Sequence, residues 1–214
     1  MLLSIVDATD QYKRDLAKDL LFGEVRHRMK NVFGVAQSLA RHTTTEGRSA
    51  EEYRDAFLGR FAALIEAEDL AFDEQEETGL QEVLERIFAP YAAREGAVVV
   101  EPGASVVLAP RTIMSLCLVL HEMATNAAKY GALSVPEGHV RVSWLIEDGN
   151  SSLRLKWVET GGPRVTAPDT TGYGTTLIQS TTTYSLQGQL ELEYPSEGFR
   201  AEIVIPLGSA SPEV

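Results

Sequence analysis

The first third of the chain repeats apolar residues every three or four positions, the pattern of amphipathic helices. One such stretch runs from about residue 9 to residue 42, and a short loop separates it from a second. Ser49 and Glu52, at the start of the second stretch, have the spacing of a capping box. The apolar positions of the second stretch are Tyr53, Phe57, Phe61, Leu64 and Ile65. The two stretches predict an antiparallel helical hairpin over 9–73, and two copies would bury its apolar seam as a four-helix bundle.

The region from residue 80 to residue 208 mixes helical and strand patterns, and follows an acidic segment, 73–79, that we interpret as a linker. A long helix is predicted from Pro110 to about residue 130, where Gly131 ends it. Alternating apolar and polar positions predict two β-hairpins. Strands are predicted at 97–100, 106–108, 140–144, 153–157, 189–194 and 199–206, with a helix at 176–185. The predicted fold class is α+β: a helical hairpin, then a two-layer α/β sandwich with a mixed, mainly antiparallel sheet.

The overall charge restricts the partners of the chain. A formal net charge of -12 argues against DNA, RNA or an anionic membrane as the main partner, because phosphate backbones and anionic surfaces require a basic face. A nucleotide needs only a local site and stays compatible. The single cysteine, Cys117, excludes a disulfide framework within the chain and predicts a reducing, cytoplasmic setting. No apolar run reaches the roughly 18 residues that a membrane-spanning helix needs.

His27 is the candidate nucleophile of the first helix. At 100° per residue it lies roughly 160° from the apolar stripe, so it points outward. The stripe consists of Val25, Met29, Val32, Ala36 and Leu39. Gly23 and Gly34 lie on the same side of the helix as His27. Each glycine weakens a helix by about 1 kcal/mol relative to alanine, which fits a face that a bulky partner approaches closely. A neutral imidazole nitrogen can attack phosphorus near neutral pH, and Glu24 is placed to orient the ring or take its proton. The pattern alone favours an ordinary surface histidine.

The long helix of the second region carries a polar group of residues. Glu122 and Asn126 are four residues apart and share one face, with Lys129 within a further turn. A carboxylate, an amide and a lysine suit Mg²⁺ and triphosphate oxygens, and Glu122 is also a candidate catalytic carboxylate. Thr125 excludes the HExxH zinc motif, so a metalloprotease is rejected.

Two further clusters fit a nucleotide. Glu159 ends a predicted strand before the glycine turn 160–163, and such a carboxylate can accept a hydrogen bond from an exocyclic amine such as that of adenine. The glycine-rich segment 172–175 opens a helix, where backbone N–H groups can bind phosphate. Each cluster alone is also typical of an ordinary turn.

Four segments together resemble the HWE histidine kinases. They are RHRMKN at 26–31, HEMATNAAKYGALS at 121–134, WVETGGP at 157–163 and GYGTTLI at 172–178. The family is named for the histidine and the Trp-x-Glu that here are His121, Trp157 and Glu159. The resemblance extends from about residue 15 to residue 207.

The resemblance implies a sensor histidine kinase core. The hairpin over 9–73 would carry the phosphoacceptor His27, and a Bergerat-type ATP-binding domain over 80–208 would supply the γ-phosphate. By the resemblance, Asn126 is the Mg²⁺ ligand and Glu159 recognises adenine. The remaining residues expected to bind the nucleotide are Gly161, Gly162, Gly172, Gly174 and Thr175, with His121, Lys129 and Tyr130.

The resemblance also implies partners. Residues 1–8 look like the end of a PAS or LOV sensor domain, and a response regulator receiver domain would collect the phosphate. The hairpin predicts a homodimer, although relatives of this kind can be monomeric. Two other functions stay open: a histidine phosphotransfer protein with a degenerate ATP domain, and a conformational ATPase of the gyrase and chaperone superfamily in which Glu122 activates water. The input signal and the cognate response regulator stay undetermined.

Overall fold

The computed structural model describes 49–71, 79–92, 94–147, 149, 151–168 and 172–207, with scattered positions between 12 and 40. The chain divides into two compact units, Met1–Arg41 and His42–Val214. Every described position between 12 and 40 is helical, which agrees with the first predicted helix. The predicted segment 1–8, His27, Glu24 and all of the linker except Gly79 lie outside the described residues.

The second unit contains four α-helices among its described residues. They are α1 (Ala50–Ala71), α2 (Leu80–Phe88), α3 (Pro110–Lys129) and α4 (Tyr173–Ser180). A 3₁₀ turn, Ala89–Tyr91, extends α2, and a π-helical turn, Thr181–Ser185, extends α4. Pro110 occupies the first turn of α3, where its missing N–H costs no hydrogen bond. None of the helices in the described part of the chain is long and apolar enough to cross a membrane.

The described residues include five strands: β1 (Val98–Val100), β2 (His139–Glu147), β3 (Ser152–Thr160), β4 (Gln189–Glu193) and β5 (Arg200–Pro206). They form one sheet in the order β1-β2-β3-β5-β4. Strand β1 pairs with β2 in parallel and the other pairs are antiparallel. The mixed, mainly antiparallel sheet predicted from sequence is confirmed. The predicted strand at 106–108 is reduced to a single bridge between Gly79 and Val107.

Only one face of the sheet is apolar. Residues of β2 and β3 alternate between buried and exposed, and the inward positions include Trp144, Leu155 and Trp157. The ring of Phe88, at the end of α2, lies 5.6 Å from that of Trp157, so helices cover this face. The opposite face carries ion pairs of Arg154 with Glu147 and Glu202. A half-buried sheet under a helical layer is the predicted two-layer sandwich.

Helix α1 packs against α3 and belongs to the same compact unit as the sandwich. Its buried positions are Arg60, Ala63, Leu64, Ala67 and Leu70. Of the apolar series predicted from sequence, Leu64 is buried, whereas Ile65 is 46% exposed. The rings of Tyr53, Phe57 and Phe61 stack along α1, with centroids 6.4 and 6.0 Å apart. The division between the compact units thus precedes α1, whereas the pattern placed α1 with the first helix. The functional domain limits stay predictions.

Candidate functional site

A cleft of about 560 Å³ opens between the second half of α3, the end of β3 and the start of α4. Of the residues singled out from sequence, it is lined by Glu122, Asn126, Tyr130, Glu159, Gly172, Gly174 and Thr175. Arg164 and Phe199 line it as well. The fold thus gathers residues from three separate sequence motifs around one cavity, whose size is typical of small-molecule sites.

Glu159 is the buried carboxylate of the cleft. It follows Leu155 and Trp157 on the inward face of β3, because alternate residues of a strand share one face, and it is 4% exposed. Its Oε2 accepts a hydrogen bond from the backbone N–H of Ala132 (2.8 Å), and its Oε1 accepts one from the Trp157 indole N–H (3.1 Å). Burial raises the pKa of Glu159, and these two hydrogen bonds oppose that rise. A carboxylate has about four acceptor positions, so Glu159 can accept a further bond from a ligand.

Three glycines allow the backbone to close around Glu159. A Cβ at Gly131, just beyond α3, would overlap Glu159 Oε2. Gly161 has φ 69°, and a Cβ there would overlap the carbonyl oxygen of Glu137. A Cβ at Gly162 would lie 2.7 Å from Ala132 Cα. Gly161 and Gly162 therefore allow the turn after β3 to pack against the backbone of Ala132 and Glu137, and neither lines the cleft.

Glu122 and Asn126 meet the start of α4 at the other end of the cleft. A Cβ at Gly174 would overlap Glu122 Oε1 and would lie 3.2 Å from Asn126 Nδ2. Gly172 is the N-cap of α4, with extended backbone angles, so the first turn of α4 begins at this wall. A helix N-terminus next to an amide side chain presents donors suited to an anion.

Arg60 of α1 binds the Glu122 carboxylate in a bidentate ion pair. Its Nε lies 2.8 Å from Oε2 and its Nη2 lies 3.0 Å from Oε1. The two side chains are 4% and 7% exposed. Sequence reasoning missed Arg60, because 62 positions separate the partners. The available signal was a charged residue on the apolar side of α1, four positions before Leu64.

His121 and Lys129 lie outside this cleft. His121 precedes Glu122 by one position, about 100° around the helix, and lines a second cavity of about 200 Å³ with Cys117 and Tyr91. Burial lowers the pKa of His121, and its Nε2 lies 3.5 Å from Thr125 Oγ1. Lys129 is exposed in the last turn of α3. His121 thus lines a different cavity from the one lined by Asn126 and Gly174.

Comparisons with known proteins identify relatives of this chain. The family model described as HWE histidine kinase matches residues 24–104. The blue-light-activated histidine kinase 1 of Erythrobacter litoralis is 34% identical, over 95% of this chain and 57% of that protein. The blue-light-activated histidine kinase of Brucella anthropi is 32% identical, over 95% of this chain and 42% of that protein. The chain thus spans about half the length of these relatives.

Solved structures share the fold. The Erythrobacter litoralis EL346 blue-light activated histidine kinase superposes with a TM-score of 0.62 at 20% identity, covering 88% of this chain and 59% of that one. The histidine kinase domain of the same protein gives a TM-score of 0.57 at 19% identity, covering 83% of this chain and 96% of the domain. The chain therefore shares the fold of these two solved structures.

Proposed function

The chain belongs to the HWE histidine kinases, and we propose that it binds ATP with Mg²⁺ in the cleft and transfers the γ-phosphoryl group to its own His27. The observation that carries this proposal is the convergence of Glu159, Asn126 and the start of α4 on one cavity of about 560 Å³. A buried acceptor at one end and anion-binding donors at the other match the two chemically different ends of a nucleotide.

Adenine is assigned to the Glu159 end. The carboxylate is already held by the Ala132 and Trp157 N–H groups, so its orientation is set before a ligand arrives. An exocyclic amine can donate to a remaining acceptor position. Burial makes an ionic hydrogen bond there stronger than it would be in water.

The phosphates are assigned to the end formed by Asn126, Gly174 and Thr175. Mg²⁺ prefers oxygen ligands and commonly uses one or two protein groups together with substrate phosphates. Asn126 is the expected protein ligand, and Mg²⁺, when bound, supplies positive charge that balances the phosphate oxygens.

His27 is the proposed phosphoacceptor and Glu24 the proposed proton acceptor because both lie within residues 24–104, which match the family model. The unprotonated ring nitrogen forms a bond to the γ-phosphorus while the bond from phosphorus to the bridging oxygen breaks. ADP leaves with that electron pair. The proton on the other ring nitrogen then passes to Glu24 or to water.

The convergence of candidate nucleotide-binding groups in one cleft disfavours a phosphotransfer protein with a degenerate ATP domain. The match to the histidine kinase family model, which includes His27, favours a kinase over a conformational ATPase.

Partners follow from the relatives. Both curated relatives are longer and are named as blue-light-activated, which supports a PAS or LOV type sensor domain working with this core. A phosphohistidine is useful only if another protein collects the phosphate, so a receiver domain of a response regulator is the proposed acceptor. The helical hairpin is the proposed surface for a homodimer.

The test is incubation of the purified protein with γ-labelled ATP and Mg²⁺. We expect label on the protein that survives alkali and is lost in acid, as phosphohistidine is. An unlabelled protein, or an acid-stable label, contradicts the proposal.

A further inference from the structure

The proposed ATP site contains a carboxylate, Glu122, although the phosphates of its ligand are themselves negatively charged. Glu122 lines the cleft beside Asn126, at the end assigned to phosphate. The other charged residues lining the cleft, among those described, are Glu159 and Arg164. An uncompensated carboxylate at this position would repel the phosphates and raise the free energy of binding a triphosphate.

Arg60 supplies the missing charge from outside the cleft. Its guanidinium belongs to α1, which packs against α3, and it binds both carboxylate oxygens of Glu122, while Arg60 itself does not line the cleft. Arginine stays protonated at any physiological pH, and its planar fork fixes a carboxylate in one orientation. The pair is almost fully buried, so water screens it little.

The orientation of Glu122 matters because α4 begins against it. No side chain separates the carboxylate from Gly174, and a Cβ at that position would overlap Glu122 Oε1. Without Arg60, the Glu122 side chain would no longer be held in one orientation against Asn126 and the first turn of α4. The ion pair therefore determines both the charge and the shape of this end of the cleft.

We propose that Arg60 is a positioning residue of the nucleotide site, which neutralises and orients Glu122 so that the phosphates can approach Asn126 and the start of α4. This inference rests on the proposed function. It makes α1, a helix of the predicted phosphoacceptor hairpin, a structural component of the ATP site.

The test compares variants of the full chain by calorimetry with a non-hydrolysable ATP analogue and with adenosine. Arg60→Leu is expected to lower the affinity for the analogue about tenfold or more, since it leaves a buried negative charge beside the phosphates. Adenosine, which reaches only the Glu159 end, should bind with unchanged affinity. Arg54→Leu is the matched control, because Arg54 lies on the same helix, is exposed and, within the described part of the chain, pairs with the exposed acids Glu51 and Asp55.

A second pair of variants keeps the test decisive if Arg60→Leu does not fold. Arg60→Leu/Glu122→Gln removes both charges together, so it should bind the analogue about as tightly as wild type does. Arg60→Lys should give an intermediate affinity, since lysine supplies the charge without the fork.

Three results overturn the inference: an unchanged affinity of folded Arg60→Leu for the analogue, an equal loss for adenosine and the analogue, or a loss of about tenfold for the analogue in the double variant relative to wild type. Failure of the proposed function is distinct, because the wild-type protein itself would then bind neither ligand.

Discussion

Single residues determine the chemistry of the cleft, and Glu159 is the clearest case. Sequence reasoning selected it as a carboxylate at the end of a strand, and the structure adds its partners, Ala132 and Trp157. The spacing of Trp157 and Glu159 has a physical reason. Residues two apart on a strand share a face, so the Trp157 indole N–H can donate to the Glu159 carboxylate.

Glu159→Gln tests the adenine end. The amide has nearly the same size but loses the negative charge and one acceptor oxygen, so adenosine affinity should fall about tenfold. Calorimetry with adenosine provides the measurement. Glu191→Gln, an exposed position on β4, is the control. Equal affinities in wild type and Glu159→Gln would remove this carboxylate from adenine recognition.

The same variant tests the raised pKa of Glu159. Burial raises the folded-state pKa above the ordinary 4.5. As pH rises from 4.5 through the folded pKa, the unfolded chain releases this proton first, so the free energy of unfolding should decrease. The contribution of Glu159 to the free energy of unfolding is therefore greatest below pH 4.5. Urea denaturation should show wild type losing stability relative to Glu159→Gln over this window. Parallel curves would mean that Glu159 ionises as freely in the folded protein as in the unfolded chain.

At the scale of elements, the approach of α4 to α3 shapes the phosphate end of the cleft. The glycines at 172 and 174 both suggested phosphate binding from sequence, yet their surroundings differ. A Cβ at Gly174 would overlap Glu122 Oε1, whereas a Cβ at Gly172 would meet no heavy atom within 4 Å. Packing between α3 and α4 therefore requires a glycine at position 174 but not at position 172.

Gly174→Ala should therefore destabilise the fold by about 1–3 kcal/mol, the usual cost of overpacking a tight contact. Gly172→Ala, two positions away, is the matched control and should leave the free energy of unfolding nearly unchanged. Thermal or urea unfolding of the two variants decides the point. Similar losses in both would show that α4 does not lie against Glu122 as described.

Elements with local patterns were predicted well, and the exceptions have physical causes. The hairpin β2–β3 pairs neighbouring segments, so alternation alone was sufficient. The predicted strand at 106–108 depends on a partner far along the chain and forms only one bridge. The predicted helix at 176–185 changes to a π-helical turn at Thr181, which a helical periodicity does not distinguish.

At the scale of the whole molecule, the chain combines two compact units, and the proposed reaction needs both. The cleft lies entirely in the unit His42–Val214, whereas His27 belongs to Met1–Arg41. Transfer therefore requires His27 to reach the cleft, within one chain or between two copies, because phosphoryl transfer needs near in-line contact of the reacting atoms.

His27→Ala should abolish labelling by γ-labelled ATP while calorimetry shows an unchanged affinity for a non-hydrolysable analogue. The reason is that the acceptor and the nucleotide site belong to different units. His139→Ala is the control: it removes a histidine of β2 that does not line the cleft, and this variant should be labelled to the same extent as wild type. Persistent label in His27→Ala would assign the acceptor to another residue.

Local patterns were enough to predict the α+β class, the two β-hairpins and the motifs that line the cleft, because these depend on periodicity and on residues close together along the chain. Packing between distant segments was needed to show that Arg60 pairs with Glu122, that His121 lines the second cavity, and that Gly131 makes room for Glu159. A helical pattern orients residues relative to one another, but which neighbour each side meets depends on packing between distant segments. The pairing across 62 positions arises only when α1 and α3 are packed together.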